Sequence, residues 1–422
     1  MIKKKRGLTT YILISLVLGI VAGYAAHVTL SAPAGFADTM SLLTTIFLRL
    51  IKMIIAPLVF STLVVGIAKM GDVGEVGRVG IKTLGWFFIA SLFSLTLGLI
   101  MVNIFQPGLT LVGHLPPAGA SSGVAAAGLS LKEFVTHLVP ASIVDGMAKN
   151  EILQIVIFSL FFGSAAAAAG SKADPLVELL ESVAHIMLKV TGYVMQFAPV
   201  AVFAAVAGTI ATSGLTVLST YGVFMLEFYL SMALLWLLLI GAGYLFLGRR
   251  VLALLNEVKA PTLLAFTTAS SEAAFPKTLE GLERFGVRNR IAAFVLPIGY
   301  SFNLDGTMLY CTFATMFIAQ AYGIDMPLGT QITMMAVLML TSKGVAGVPR
   351  ASLVVIAATL SQFNIPEAGL LLLLGIDHFL DMGRSATNVI GNSIATAVVA
   401  KWEGELTAPS NADLGDASAA LP

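Results

Sequence analysis

Apolar runs long enough to cross a bilayer recur along the first 250 residues, at about 8–29, 39–69, 83–105, 150–170, 183–211 and 220–247. A helix crosses the hydrocarbon core with roughly 20 apolar residues, so each run predicts one span. After Arg250 the pattern changes. Residues 256–284 are apolar but interrupted between Thr267 and Pro276 by Ser270, Ser271 and Glu272. A run starting near Ile291 breaks at Ser301–Thr307, through Asn303, Asp305 and Gly306. Residues 330–361 are interrupted between Thr341 and Arg350 by Ser342, Lys343, Gly344, Gly347 and Pro349. The last apolar stretch carries Asp377, Asp381, Arg384, Asn388 and Asn392. Their spacing places all five on one stripe of a helix. The predicted order is six plain spans, a helical hairpin, a broken helix, a second hairpin and a polar-striped helix.

Composition fixes the class. Of 422 residues, 57% are hydrophobic and 11% charged, with mean hydropathy +0.92. Soluble domains carry about 25% charged residues. The chain is therefore predicted to be an all-α polytopic membrane protein. A net charge of +1 gives no sign of a nucleic-acid partner. The single cysteine, Cys311, excludes an internal disulfide and a cysteine metal cluster. The basic start, Lys3 to Arg6, precedes an apolar run that reads as an uncleaved first span.

Lys and Arg set the expected orientation. Lys3–Arg6 precede the first span, Lys69, Arg78 and Lys82 follow the second, Lys172 follows the fourth, and Arg249 and Arg250 follow the sixth, whereas loops 107–131 and 212–219 have neither residue. Arg284, Arg288, Arg290 and Lys401 share the basic side, while 321–331 and 361–369 lack Lys and Arg. Both termini are thus expected in the cytoplasm, and the two hairpins are expected to enter from opposite faces. Small and acidic residues over 406–422 read as a disordered tail.

Irregular backbone at membrane depth is tolerated only where protein or a water-filled cavity covers it. Two interrupted segments in matching positions point to a carrier site near the midplane. Each candidate has a plainer reading beside it. Arg384 has the fork that grips a carboxylate, or it pairs with Asp381 or Asp377 without a ligand. Asp381 suits an ammonium group, or it balances Arg384. Asn303, Asp305 and Thr307 offer oxygens suited to sodium, or they cap a broken helix. Glu272 suits a proton carrier, or it is a water-facing tip residue. Lys343 and Arg350 read as facing outside water. Arg49 and Lys52 read as snorkelling or meeting lipid head groups. The same polar residues also fit an ion channel. An enzyme would need a nucleophile–base pair or metal cluster, and His378 stands alone.

Several ordered motifs together resemble the dicarboxylate/amino acid:cation symporter family, the glutamate transporters. They are Phe47–Met53, Phe105–Gly108, Thr268–Glu272, Asn303–Thr307, Gly344–Pro349 and Asp381–Asn388. The nearest resemblance is to bacterial proton/glutamate-aspartate symporters. It implies eight transmembrane helices plus two re-entrant hairpins, at 256–287 and 328–362, arranged as inverted repeats in an elevator-type homotrimer. Residues 1–82 and 130–215 would form the scaffold, and 83–129 and 216–405 the transport domain. The location would be the cell (inner) membrane, with no cofactor beyond the co-transported proton or sodium.

By resemblance, Arg384 would hold a substrate side-chain carboxylate, Asp381 its amino group and Asn388 its α-carboxylate. Ser271, Thr307, Val348 and Ser385 would complete the contacts. Asp381 would favour glutamate or aspartate over C4-dicarboxylates, the runner-up substrates. Cation or proton coupling would involve Asn303, Asp305, Asp377, Asn392, Ser91, Glu272 and Ser342, with sodium at Asn303 and Asp305. The chain departs from sodium-coupled relatives in its ion positions. Asn392 stands where they carry aspartate, Phe87 and Ala90 replace two hydroxyl residues, and Val345 replaces a threonine. Cys311 stands where animal relatives carry a proton-bearing glutamate. These departures, with Glu272, shift the expected coupling toward protons.

Overall fold

The computed structural model describes residues 8–70, 73–111, 139–214, 221–342, 350–374 and 376–407. Apart from one antiparallel bridge between Val287 and Leu406, the described residues form helices, turns and bends. A bilayer imposes this outcome, because a helix satisfies its backbone hydrogen bonds within one segment.

The first part contains α1 (Leu8–Thr29), α2 (Pro33–Met70), α3 (Val73–Phe105), a short α4 (Ile143–Lys149) and α5 (Ile152–Ala169). It continues with α6 (Asp174–Val194), a 3-10 turn at Met195–Phe197, α7 (Ala198–Ser213) and α8 (Gly222–Leu247). Six helical stretches here are long and apolar enough to cross a membrane. Three starts move: the second stretch begins at Pro33 rather than near residue 39, the third at Gly74 rather than near 83, and the fifth at Asp174 rather than near 183. The first turns of the fifth carry exposed Asp174, Glu178 and Glu181, so charge hides them from a hydropathy reading.

The second part is interrupted where the sequence predicts. α9 (Arg250–Thr268) packs on α10 (Ser271–Phe285), and only Ala269 and Ser270 join them. Ala269 takes φ of 50°, and Ser270 Oγ caps α10 by accepting from the Ala273 N–H at 3.3 Å. α11 (Asn289–Phe302) and α12 (Asp305–Ala321) are two halves separated by Asn303 and Leu304. α13 (Leu328–Thr341) and α14 (Ala351–Gln362) form the second pair. Val348, Lys343 and Val345 lie outside the described residues. A short α15 (Leu370–Leu374) leads to α16 (Asp377–Trp402).

α16 is the axis of this second part. It touches α3, α8, α9, α10, α11 and α12, and every residue from Leu380 to Ala400 is buried. Its polar stripe therefore faces protein, which is how a membrane protein carries charges that cost at least ~2.5 kcal/mol each on insertion scales. At its C-terminal end, Glu403 accepts from Arg78 and Lys82 of α3. Glu405 pairs with Arg288 and Arg290. The Thr407 N–H donates to the Gly286 carbonyl at 2.9 Å, and Arg250 donates to the Thr407 carbonyl at 2.9 Å. Leu406 and Thr407, expected at the start of a disordered tail, are thus docked. Residues 408–422 lie outside the described residues.

Candidate functional site

The site grows from the helix break. Asn303 and Leu304 leave helical geometry between α11 and α12, so the first N–H groups of α12 lack an upstream carbonyl. Asn388 of α16 supplies the acceptor. Its Oδ1 takes the Gly306 N–H at 2.9 Å and the Thr307 N–H at 3.4 Å. Its Nδ2 donates to Thr307 Oγ1 at 3.2 Å. A side chain at Gly306 would run into the Arg384 backbone, so glycine permits this approach of α12 to α16.

Arg384 is fully buried. Its Nε donates to Asp381 Oδ1 at 2.6 Å, one η nitrogen to Thr307 Oγ1 at 3.2 Å, and the other to the Ala269 carbonyl at 3.4 Å. The last contact ties the α9–α10 turn to the stripe. Asp381 receives a second donor on its other oxygen, the main-chain N–H of Arg350, at 2.5 Å. Asp377 accepts from Tyr310 at 2.7 Å through Oδ1, and its Oδ2 lies 3.8 Å from Arg350 Nε. Arg350, expected simply to face water, is 67% exposed at its side chain yet reaches both acids of the stripe. The pairing of Arg384 with Asp381, the plainer reading of both, is present.

Lower on the stripe lies an oxygen-rich cluster. Asn303 Nδ2 donates to Asp305 Oδ2 at 3.1 Å and to Asn392 Oδ1 at 3.3 Å. Ser94 of α3 donates to Asp305 Oδ1 at 3.3 Å, and Ser91 to the Phe302 carbonyl at 3.4 Å. Asn303 Oδ1 and Asn392 Nδ2 are buried without a hydrogen-bond partner. A carbonyl oxygen left so can serve a small cation, whereas an amide N–H₂ cannot. Among the described residues, no three His, Cys, Asp or Glu side chains gather as a metal cluster requires.

Ser271 and Ser385 are buried with hydroxyls that have no partner, at the start of α10 and beside Arg384. Ser342 sits apart from them, its hydroxyl against Met308 Sδ at 3.3 Å. Glu272 is 6% exposed and lines a cavity of about 200 Å³ with Ser270, Ala273, Arg49 and Lys52. Arg49 and Lys52, expected to snorkel or to meet lipid head groups, are exposed on α2 and line this cavity opposite the start of α10. Cys311 is fully buried within α12.

Three contributors escaped the sequence reading: Ser94, Tyr310 and the Arg350 main chain. Ser94 had a signal, since Phe87, Ser91 and Ser94 repeat at helical spacing on the face of α3 toward α12. Tyr310 falls one turn after Thr307 on the same helix. The Arg350 N–H had no signal, because a main-chain donor is invisible in sequence.

The sodium:dicarboxylate symporter family model matches residues 8–402. The proton/sodium-glutamate symport protein of Geobacillus stearothermophilus is 40% identical over 407 residues, covering 95% of this chain and 96% of that protein. The C4-dicarboxylate transport protein of Bacillus subtilis strain 168 is 39% identical, covering 95% and 94%. The proton/glutamate-aspartate symporter of Escherichia coli K12 is 40% identical, covering 94% and 93%.

Proposed function

This chain belongs to the sodium:dicarboxylate symporter family, and we propose that within it the protein is a proton-coupled symporter of glutamate and aspartate. The observation that carries this reading is the buried pair Asp381 and Arg384, in contact at 2.6 Å on the α16 stripe. A carboxylate and a guanidinium together suit the ammonium and the second carboxylate of an acidic amino acid. Arg384 takes the side-chain carboxylate, Asp381 the ammonium and Asn388 the α-carboxylate. Ser271, Ser385, Thr307 and Val348 add contacts. The unpartnered hydroxyls of Ser271 and Ser385 support their place here, because buried donors ask for acceptors.

Proton coupling rests on two positions. Asn392 is neutral, so the cluster with Asn303 and Asp305 has one carboxylate. Glu272 is a buried acid on a cavity between α2 and α10. The oxygens of Asn303 and Asp305 suit sodium as a second coupled ion. Ser91, Asp377 and Ser342 belong to the same ion-linked set.

The architecture follows the family. Residues 1–82 and 130–215 form a fixed scaffold in a homotrimer, and 83–129 with 216–405 form the moving transport domain. The eight spans and two re-entrant hairpins sit in the inner membrane with both termini cytoplasmic. The family is one of symporters, not enzymes or channels.

A second reading, C4-dicarboxylate symport, has one observation in its favour. Both oxygens of Asp381 already receive protein donors, Arg384 Nε and the Arg350 N–H. An ammonium must share that carboxylate. Uptake of labelled aspartate into proteoliposomes, with an acid exterior and no sodium, tests the proposal. Uptake that is outcompeted by glutamate more strongly than by succinate is expected. A strict sodium requirement, or stronger competition by succinate, overturns it.

A further inference from the structure

We propose that Arg350 is a substrate-binding residue whose guanidinium meets the α-carboxylate of the transported amino acid. The inference rests on the reading of Asp381 as the ammonium partner. Four observations carry it.

The Arg350 N–H donates to Asp381 Oδ2 at 2.5 Å, so the residue is anchored on that carboxylate. The anchor is specific in conformation. Arg350 sits just before α14 with φ of 65°, a left-handed value that residues other than glycine adopt only when surroundings hold them. Among the described residues, the guanidinium is held only loosely. Its Nε lies 3.8 Å from Asp377 Oδ2, beyond hydrogen-bond length, and the side chain is 67% exposed. It can therefore turn toward a ligand. The other arginine points another way, since the η nitrogens of Arg384 reach toward Thr307 and the Ala269 carbonyl.

The chemistry follows from connectivity. In an α-amino acid the carboxylate one carbon from the ammonium is the α-carboxylate. A cation anchored on the group that holds the ammonium is thus within reach of that carboxylate. Arg384, with its fork directed toward α12 and the α9–α10 turn, is placed for the far carboxylate. Two guanidiniums then hold the two carboxylates, and Asp381 holds the ammonium between them. Charge is consistent: Asp377 and Asp381 balance Arg350 and Arg384, and the amino acid's net negative charge is left for the coupled cation.

Glycine at position 350 separates the main chain from the side chain, because it keeps the N–H and favours positive φ. The test uses purified full-length protein in proteoliposomes, comparing wild type, Arg350→Gly and Arg350→Lys. Labelled aspartate uptake gives KM and kcat, and β-alanine, which is aspartate without its α-carboxylate, serves as competitor. Arg350→Gly is expected to raise the aspartate KM about tenfold with kcat within twofold, as loss of one charge-assisted contact would. The preference for aspartate over β-alanine should narrow by the same factor. Arg350→Lys should recover most of the loss. An unchanged aspartate KM in Arg350→Gly, a fall in kcat alone, or equal weakening of aspartate and β-alanine overturns the proposal. Wild-type protein that takes up succinate but no aspartate overturns the acidic amino acid reading, and this inference with it.

Discussion

Asn392 Oδ1 accepts a hydrogen bond from Asn303 Nδ2 at 3.3 Å, while its own amide nitrogen is buried without an acceptor. The amide thus fills the place of an oxygen pair but offers only one oxygen. A carboxylate of the same shape would offer two and add a negative charge beside Asp305. Asn392→Asp is expected to make aspartate uptake sodium-stimulated, with at least a tenfold gain in apparent sodium affinity over wild type. Uptake measured against external sodium at fixed pH checks this. Sodium curves that superimpose for the two proteins would show that Asn392 takes no part in ion coupling.

The contact of α12 with α16 depends on Gly306. A Cβ at this position would meet the backbone of Arg384, which cannot turn aside as a side chain can. The same residue's N–H donates to Asn388. Gly306→Ala must push the two helices apart, at about 1–3 kcal/mol for an overpacked site. Aspartate uptake should fall at least tenfold, because Asn388 and Thr307 lose their mutual geometry. A variant with wild-type KM and thermal midpoint would show that the helices relax freely there.

The polar stripe from Asp377 to Asn392 is legible in the sequence because an apolar segment tolerates five polar residues at helical spacing only where protein covers them. The break at Asn303 and the turn at Ala269–Ser270 are legible because small and polar residues punctuate otherwise apolar runs. The start of the fifth stretch is hidden because Glu178 and Glu181 lower the local hydropathy. Ser94 repeats with Phe87 and Ser91 at helical spacing, but serine on an apolar helix commonly bonds its own backbone, and its hydroxyl lies between the Ala90 carbonyl at 2.9 Å and Asp305 at 3.3 Å. Hydropathy gives basic residues such as Arg49 and Lys52 no address. Only the structure shows that they line one cavity with Glu272. The Arg350 contact with Asp381 requires coordinates, since it depends on a left-handed main chain.

The C-terminal end of α16 is a second place where charge organises the fold. Glu403 has a side chain only 2% exposed, with Lys82 at 2.6 Å and Arg78 at 2.9 Å. Burial alone pushes its carboxyl upward, but the hydrogen bonds and charges of Lys82 and Arg78 outweigh burial and hold it below its ordinary value. A carboxyl depressed by folding stabilises the protein above the ordinary carboxylate range and loses that contribution as pH falls through it and below. Glu403→Gln should lower stability by about 1 kcal/mol at neutral pH, discounted because Arg78 and Lys82 are partly exposed. The difference between variant and wild type should shrink toward acid pH. Thermal melts of detergent-solubilised protein across pH measure it, and a pH-independent difference would refute the ionic origin.

Proton coupling would turn on Glu272. It sits in the first turn of α10, nearly buried, on the cavity that Arg49 and Lys52 line from α2. Under the elevator reading α2 stays fixed while α10 moves, so the carboxylate changes its cationic surroundings during transport. A proton carried on Glu272 would be taken up and released at different stages of that movement. Glu272→Gln keeps the size and the hydrogen-bonding oxygen but cannot exchange a proton. The variant should lose at least tenfold of the aspartate accumulation driven by an acid exterior. Exchange of internal for external aspartate needs no net proton movement and should persist within about threefold. The two assays on one preparation separate coupling from binding. If Glu272→Gln keeps wild-type pH-driven accumulation, the proton travels on another group. If exchange falls in parallel with accumulation, Glu272 serves the structure of the turn instead.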